Sequence, residues 1–208
     1  MALGMPQVTD ADDLPIRAAA TLILWRETAL GKQVLMGQRG AKAAFMPSKY
    51  VFPGGAVDAG DAAPLSLLQP RCAARLALRS TLPPQAIIGA ALRELTEETG
   101  LILPPTRAQS LRFVFRAITP PGRSRRFDAR FLLASAFDCA GDPEDFSRAQ
   151  DELGHLHWIG LSQARALDLP FITEVVLSEV TGLLAGQEQP GVPFFDNSGA
   201  VPTFRRLD

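Results

Sequence analysis

Gln85 to Gly100 reads QAIIGAALRELTEETG, and its spacing decides what the surrounding chain must be. Ile87, Ile88, Ala91, Leu92 and Leu95 fall on one face at 100° per residue. Pro83 and Pro84 precede the stretch and Gly100 follows as a stop, so a helix is expected over 85–99. Arg93, Glu94, Glu97 and Glu98 occupy the adjoining arc, with Glu98 nearest the apolar edge. Glu94 lies three and four residues before Glu97 and Glu98, so the three carboxylates crowd one region and repel by roughly 0.2–0.5 kcal/mol per pair. Glu97 and Glu98 also sit in the last turn, where the negative end of the helix dipole disfavours anions. Arg93 supplies one positive charge and leaves a net of about minus two if all three glutamates ionise. A hard divalent cation completes an oxygen-only set of this kind, Mg²⁺ first and Mn²⁺ second. A solvated acidic helix face is the competing reading of the helix alone.

Upstream, Ile16–Arg26 and Gln33–Gln38 are aliphatic and β-branched runs separated by Gly31, which predicts two strands with a short connection. A small-residue loop over 39–49 leads to Tyr50, Val51 and Phe52. The chain then turns sharply at Pro53-Gly54-Gly55, where proline ends a central strand and paired glycines open backbone paths closed to other residues. Residues 62–84 carry their own helical segment, RCAARLALR, bracketed by prolines, and read as an insertion. Downstream, strands are expected over Leu111–Ile118, Phe127–Ala136 and Leu156–Ile159, and a closing helix over Thr173–Ala185. Residues 1–14, with Asp10, Asp12 and Asp13, and 189–208, with three prolines and two glycines, read as irregular. Strands, a central helix, more strands and a last helix predict an α/β (α+β) fold, a mixed sheet with helices packed on it.

The string RELTEETGL, Arg93 to Leu101, matches the second half of the Nudix hydrolase signature, Arg-Glu-aliphatic-x-Glu-Glu-x-Gly-aliphatic. The first half of that signature is a glycine, five residues and a glutamate. Here Gly55 is followed at that distance by Asp61, in FPGGAVDAGD. Seven residues normally separate the halves, whereas Ala62 to Leu92 is 31 residues, so 24 are inserted. The interrupted box, with FMPSKYVFPGG before it and ITPPGRSRRFDARFLLA after it, resembles the subset that includes peroxisomal coenzyme A diphosphatases and related bacterial proteins. The resemblance covers about 16–161 and implies one Nudix domain over 1–208, an α/β/α sandwich with its core at about 16–186.

The activity implied is Mg²⁺-dependent hydrolysis of a diphosphate linkage in a nucleoside diphosphate derivative, coenzyme A or acyl-CoA first. Dinucleotides or nucleotide sugars are the alternative substrates, and a non-catalytic ligand-sensing Nudix module is the alternative class. All three box glutamates are present, which favours the enzyme. By the same resemblance Glu94, Glu97 and Glu98 are metal ligands, Arg93 orients Glu97, and Gly54 and Gly55 let the loop backbone approach metal-bound phosphates. Glu152 competes with Glu94 for the role of general base. Asp58 and Asp61 are loop acids whose contact with metal stays open. Arg125 and Arg126 are candidate phosphate binders. Arg71, Arg75 and Arg79 recur every four residues, and their insert is expected as a short helix over the site, its stripe facing a remote substrate phosphate.

Composition narrows the class further. The chain has 208 residues, 47% hydrophobic and 21% charged, as in a soluble globular domain. Lys+Arg number 21 against 22 Asp+Glu, a net charge of -1 that offers no overall attraction to nucleic acid, so none is expected as a partner. The longest apolar run, 18–25, falls short of the roughly 20 residues of a membrane span, and the acidic N-terminus does not read as a secretory signal. Two cysteines, Cys72 and Cys139, form no disulfide framework, and a cytoplasmic location is expected. A homodimer stays open.

Overall fold

The computed structural model describes residues 14–199 and 201–208; the acidic stretch with Asp10, Asp12 and Asp13 lies outside them. A mixed sheet organises these residues. The aliphatic runs form β1 (Ile16–Thr28) and β2 (Gly31–Arg39), an antiparallel hairpin through Gly31. The proline-glycine turn splits the next segment into β3 (Tyr50–Val51), on β2, and β4 (Gly54–Ala56), on β1. Beyond the insertion come helix α2 (Pro84–Thr99), β5 (Arg112–Ile118), β6 (Arg126–Ser135) and β7 (Leu153–Gly160). The sheet runs β3-β2-β1-β6-β5-β8-β9, the last two being Val192–Asp196 and Thr203–Leu207, with β4 on β1 and β7 on β2. Among the strands of the described residues, β1/β6 and β5/β8 pair in parallel and the others antiparallel.

Residues 189–208 correct the expectation of an irregular tail. They form β8 (Val192–Asp196) and β9 (Thr203–Leu207), and Val192, Phe194 and Leu207 are buried. The prolines misled because their φ fits an extended chain and Pro193, paired with Arg206 in β9, needs to donate no ladder hydrogen bond.

Side chains alternate across the sheet. Leu22, Leu24, Phe113, Leu132 and Phe194 point to one face, where α2 (Pro84–Thr99) lays Ile87, Ile88, Ala91 and Leu95 on them. Gly100 closes α2 at φ 75°, and its N–H meets the Thr96 carbonyl at 2.9 Å. Ile23, Val34, Phe115, Phe131 and Leu133 point to the other face and receive Val176, Leu177 and Val180 of α4 (Phe171–Leu184), which follows a short helix α3 (Leu161–Ala164). Helices on both faces make the α/β/α sandwich.

The insertion holds one short helix, α1 (Cys72–Ala77). Its Cys72 and Leu76 are buried with α2 and β5, and the strand-like crossing of Leu68 and Leu111 ties its start to the sheet. Arg71 and Arg79 lie outside the helix, with φ of 67° and 52°, and Arg75 donates to the Pro190 carbonyl at 2.6 Å. Buried Arg116 caps the far end: it donates to the carbonyls of Leu78 and Arg79 at 3.0 and 2.9 Å and binds Asp128 through two bonds of 2.8 Å. The four-residue recurrence of arginines therefore makes no continuous stripe, because the helix covers only Cys72–Ala77 and leaves Arg71 and Arg79 beyond its ends.

Candidate active site

The carboxylate face of α2 meets the turn at Gly54-Gly55, and local backbone explains how closely. A Cβ on Gly54 would stand 2.6 Å from the Ala20 carbonyl oxygen, and one on Gly55 would stand 2.3 Å from Glu94 Oε1. At Gly54 the obstacle is backbone and only glycine fits, whereas at Gly55 a Cβ would displace the Glu94 carboxylate; the pair so lets β4 lie between β1 and the helix. The Gly54 N–H then donates to Glu98 Oε2 at 2.7 Å.

Glu98 is 2% exposed and its Oε1 has no hydrogen-bond partner among the described residues. Burial pushes its carboxyl up to about 8, against the pull of the Gly54 N–H, and the nearby Glu94 and Glu152 push the same way. Burial also raises Glu94, with Arg93 opposing. Glu97 is more open, its side chain 41% exposed.

Arg93 organises the rest. It donates to Asp61 through Nε and Nη2 at 2.9 and 3.0 Å, to the Ala56 carbonyl at 2.9 Å, and through Nη1 to Glu94 and Glu97 at 2.9 and 3.0 Å. These acceptors hold it firmly protonated, and Arg93 in turn keeps Asp61 below the usual carboxylate range. The aspartate at the first acidic position of the box is thus a partner of Arg93, and its 6% exposed side chain shows why a shorter acid suffices: the loop brings it to the guanidinium. Asp58 stands farther off, 3.7 Å from Arg93 and exposed.

Beside this cluster opens a cavity of about 560 Å³, lined by Gly54, Gly55, Glu94 and Glu152, by Arg17, Arg39, Lys49, Arg123 and Arg125, and by a wall that includes Phe45, Phe127, Phe131 and Phe171. Phe45 and Phe127 meet edge to face at 5.3 Å. Glu152 pairs with Arg39 at 3.4 Å and lies close enough to Glu94 and Glu98 to raise both. Arg125 reaches the cavity. Arg126 is a correction: strand alternation turns it to the opposite face, where it donates to the carbonyls of Thr119 and Asn197. No residue of 62–84 lines the cavity, which corrects the expectation that Arg71, Arg75 and Arg79 lie over the site. Tyr50 packs edge-on to His157, and Phe115 belongs to the core.

Sequence reading passed over Arg17, Arg39, Lys49 and Arg123. Each sits at a strand end or in a loop without periodicity, and only the pairing of β1 with β6 brings Arg17 beside the β5–β6 turn.

As the side chains stand, no three His, Cys, Asp or Glu among the described residues converge on one metal position. Arg93 draws Glu94 and Glu97 to itself while Glu98 faces Gly54. The donor chemistry nonetheless fits a hard cation, since the set is all oxygen and Glu98 Oε1 is a buried oxygen that no group among the described residues satisfies.

No family model matches the sequence, whose signature is split by the insertion. Among solved structures the chain is similar to a NUDIX hydrolase from Alicyclobacillus acidocaldarius, at 25% identity over 80% of this chain and 91% of that one, with a TM-score of 0.58. The chain has the Nudix fold. The Nudix arrangement recurs in a MutT NUDIX hydrolase from Burkholderia pseudomallei, 21% identical over 80% and 98% with a TM-score of 0.52. It recurs again in an Ap4A hydrolase binary complex from C. elegans, 18% identical over 83% and 100% with a TM-score of 0.54. The likeness at 25% identity supports a hydrolase. No helix among the described residues is long and apolar enough to cross a membrane.

Proposed function

We propose that the protein is a divalent-cation-dependent diphosphatase that cleaves a nucleoside diphosphate derivative, with coenzyme A or acyl-CoA as first candidates and Mg²⁺ as the cation. The observation that carries this reading is the placing of Glu94, beside Gly55 and Glu98, against a cavity whose wall also carries Arg39, Lys49, Arg125 and several phenylalanines. Glu94, Glu97 and Glu98 would hold the cation, which when bound neutralises phosphoryl charge and acidifies a water. The chain's own residues supply the rest. Arg93 fixes the orientation of Glu94 and Glu97. Glu152, its side chain 58% exposed in the cavity and paired with Arg39, is free to accept a proton from an attacking water. Arg125 offers a planar donor to phosphate oxygens, and the phenylalanine wall suits an aromatic base. Gly54 and Gly55 leave no side chain between the backbone and an incoming diphosphate.

Incubating the purified protein and Mg²⁺ with coenzyme A, acyl-CoA, dinucleotides and nucleotide sugars, with products identified by mass, tests the proposal. Coenzyme A should give 3′,5′-ADP and 4′-phosphopantetheine. Far faster cleavage of dinucleotides would move the substrate and keep the chemistry. Binding without cleavage of any compound would make the protein a sensing module.

A further inference from the structure

Across the sheet from the glutamates, the cavity wall is completed by the connection between β8 and β9. Gly54 and Gly55 lie in β4, and the pairings β4-β1-β6-β5-β8 set four strand spacings of roughly 4.8 Å, about 19 Å in all, between them and the end of β8. Asn197 follows β8 at that end. It lines the cavity and is only 3% exposed.

The neighbours of Asn197 hold it in one orientation. Asp196 Oδ1 accepts from the Ser198 N–H at 3.0 Å and from the Ser198 hydroxyl at 2.6 Å, which tightens the turn around Asn197. Arg126 Nη2 donates to the Asn197 carbonyl at 2.7 Å, and Asn197 Nδ2 donates to the Ile118 carbonyl at 2.8 Å. With the nitrogen bound to Ile118, the amide oxygen Oδ1 must face away from it, and it accepts from no group among the described residues. A buried amide that uses its donor and leaves its acceptor empty is costly until something in the cavity supplies an N–H or O–H.

The adjoining wall narrows what that donor is. Thr119, next to Ile118, donates its N–H to the Phe127 carbonyl at 2.8 Å, and the Phe127 N–H donates to Thr119 Oγ1 at 3.1 Å. Asn197 is thereby tied, through Ile118 and Thr119, to the backbone of the phenylalanine whose ring meets Phe45. Aromatic rings beside a lone acceptor suit a nucleobase that carries an exocyclic amine. We infer that Asn197 is a specificity-determining residue whose Oδ1 accepts from the exocyclic amine of the ligand's base. The β8–β9 connection then selects bases with an amine at that edge over bases with an oxo group there, because an oxo group would set two acceptors against each other. The inference rests on the diphosphatase reading and adds to it the side chain that reads the base. A nucleoside diphosphate, extended by the arms of glutamate at one end and asparagine at the other, covers a span of the order of the four strand spacings.

Calorimetry on the full chain with Mg²⁺ tests the contact without turnover, using AMP, purine riboside 5′-monophosphate, which lacks the amine, and IMP, which carries an oxo group in its place. The wild-type protein should bind AMP at least tenfold more tightly than either analogue, since each leaves the buried oxygen unpaired. Asn197→Ala should bring both ratios below threefold. A role confined to folding would instead lower all three affinities together and leave the ratios standing. The purine riboside comparison removes the same bond from the ligand's side, so the wild type alone can refute the contact even where the substitution unfolds the protein. Equal affinities in the wild type, no measurable binding of AMP, or a preference that survives Asn197→Ala would overturn the inference. Cleavage of diphosphate compounds by a wild type without the AMP preference sinks the base contact and leaves the diphosphatase. An AMP preference lost in Asn197→Ala, in a protein that cleaves no diphosphate, leaves the base contact and sinks the diphosphatase.

Discussion

Arg93 has more acceptors than any other side chain at the site, and the two outermost, Asp61 and Glu98's neighbour Glu94, belong to different halves of the interrupted signature. Cutting the Asp61 link should therefore loosen loop from helix. In the folded protein Arg93 depresses Asp61 below its ordinary 3.8, so the native state binds that proton more weakly than the unfolded chain. The stabilisation is full above pH 3.8 and disappears as the pH falls through the lower folded value. Asp61→Asn should cost about 1–3 kcal/mol near neutrality, and urea titrations of both proteins should converge as the pH drops below 3.8; a gap independent of pH would contradict the pairing. Glu98→Gln tests the cation instead. The amide keeps the shape but cannot ionise to meet a cation, and metal-free Glu98, held up to about 8, is itself mostly neutral near pH 7, so Mg²⁺-dependent hydrolysis should fall by at least a hundredfold while the metal-free melting temperature holds. Turnover near the wild-type rate would end the assignment of Glu98 to the metal. The prominence of Glu98 was legible from its angular position alone. The role of Asp61 was not, since sequence spacing matches it to a box position without saying which way it turns.

At the level of elements, helix α2 was readable from its 3.6-residue apolar period and the strands β1, β2, β5 and β6 from continuous apolar runs, whose consecutive residues the structure buries on both faces of the sheet. The insertion was readable as a helix but not as to place. Its position follows from contacts with no local signal: Leu68 beside Leu111, Arg116 under the carbonyls of Leu78 and Arg79, and a glycine inside α2. That glycine, Gly89, carries the clue. Glycine in a helix costs roughly 1 kcal/mol against alanine, yet here a Cβ would stand 2.3 Å from the Ala62 backbone nitrogen. Gly89→Ala should thus lower the melting temperature despite its better helix propensity, because the start of the insertion must move. A rise in melting temperature would show that the crossing is slack. Arg71, Arg75 and Arg79 misled for a related reason: a four-residue repeat describes a stripe only while the helix lasts, and α1 stops at Ala77.

For the molecule as a whole, the last two strands are part of the sheet rather than an appendage. β8 pairs with β5 in parallel and β9 with β8, and together they bury Val192, Phe194 and Leu207 beside Phe113 and Leu132. A chain ending at Glu188 should lose cooperative unfolding or become insoluble, as circular dichroism on heating would report; a soluble product with a sharp transition would refute this. Sequence could not anticipate it, because parallel pairing joins segments far apart in the chain and leaves no hairpin signature. The candidate site obeys the same logic. Its acidic half was legible as a motif, and its basic half exists only through the pairing of β1 with β6.

The parallel β5/β8 contact also has a consequence for biosynthesis. During translation β1, β2, β5 and β6 leave the ribosome before β8 and β9 have been made, so β5 spends that interval as a bare sheet margin with unfilled main-chain donors and acceptors beside Phe113 and Phe115. A nascent chain in that state is open to capture by any extended segment nearby. Its yield in a cell then depends on how quickly the last two strands follow, and synonymous codons that slow the ribosome after Leu184 should lower soluble yield without altering a single residue of the product.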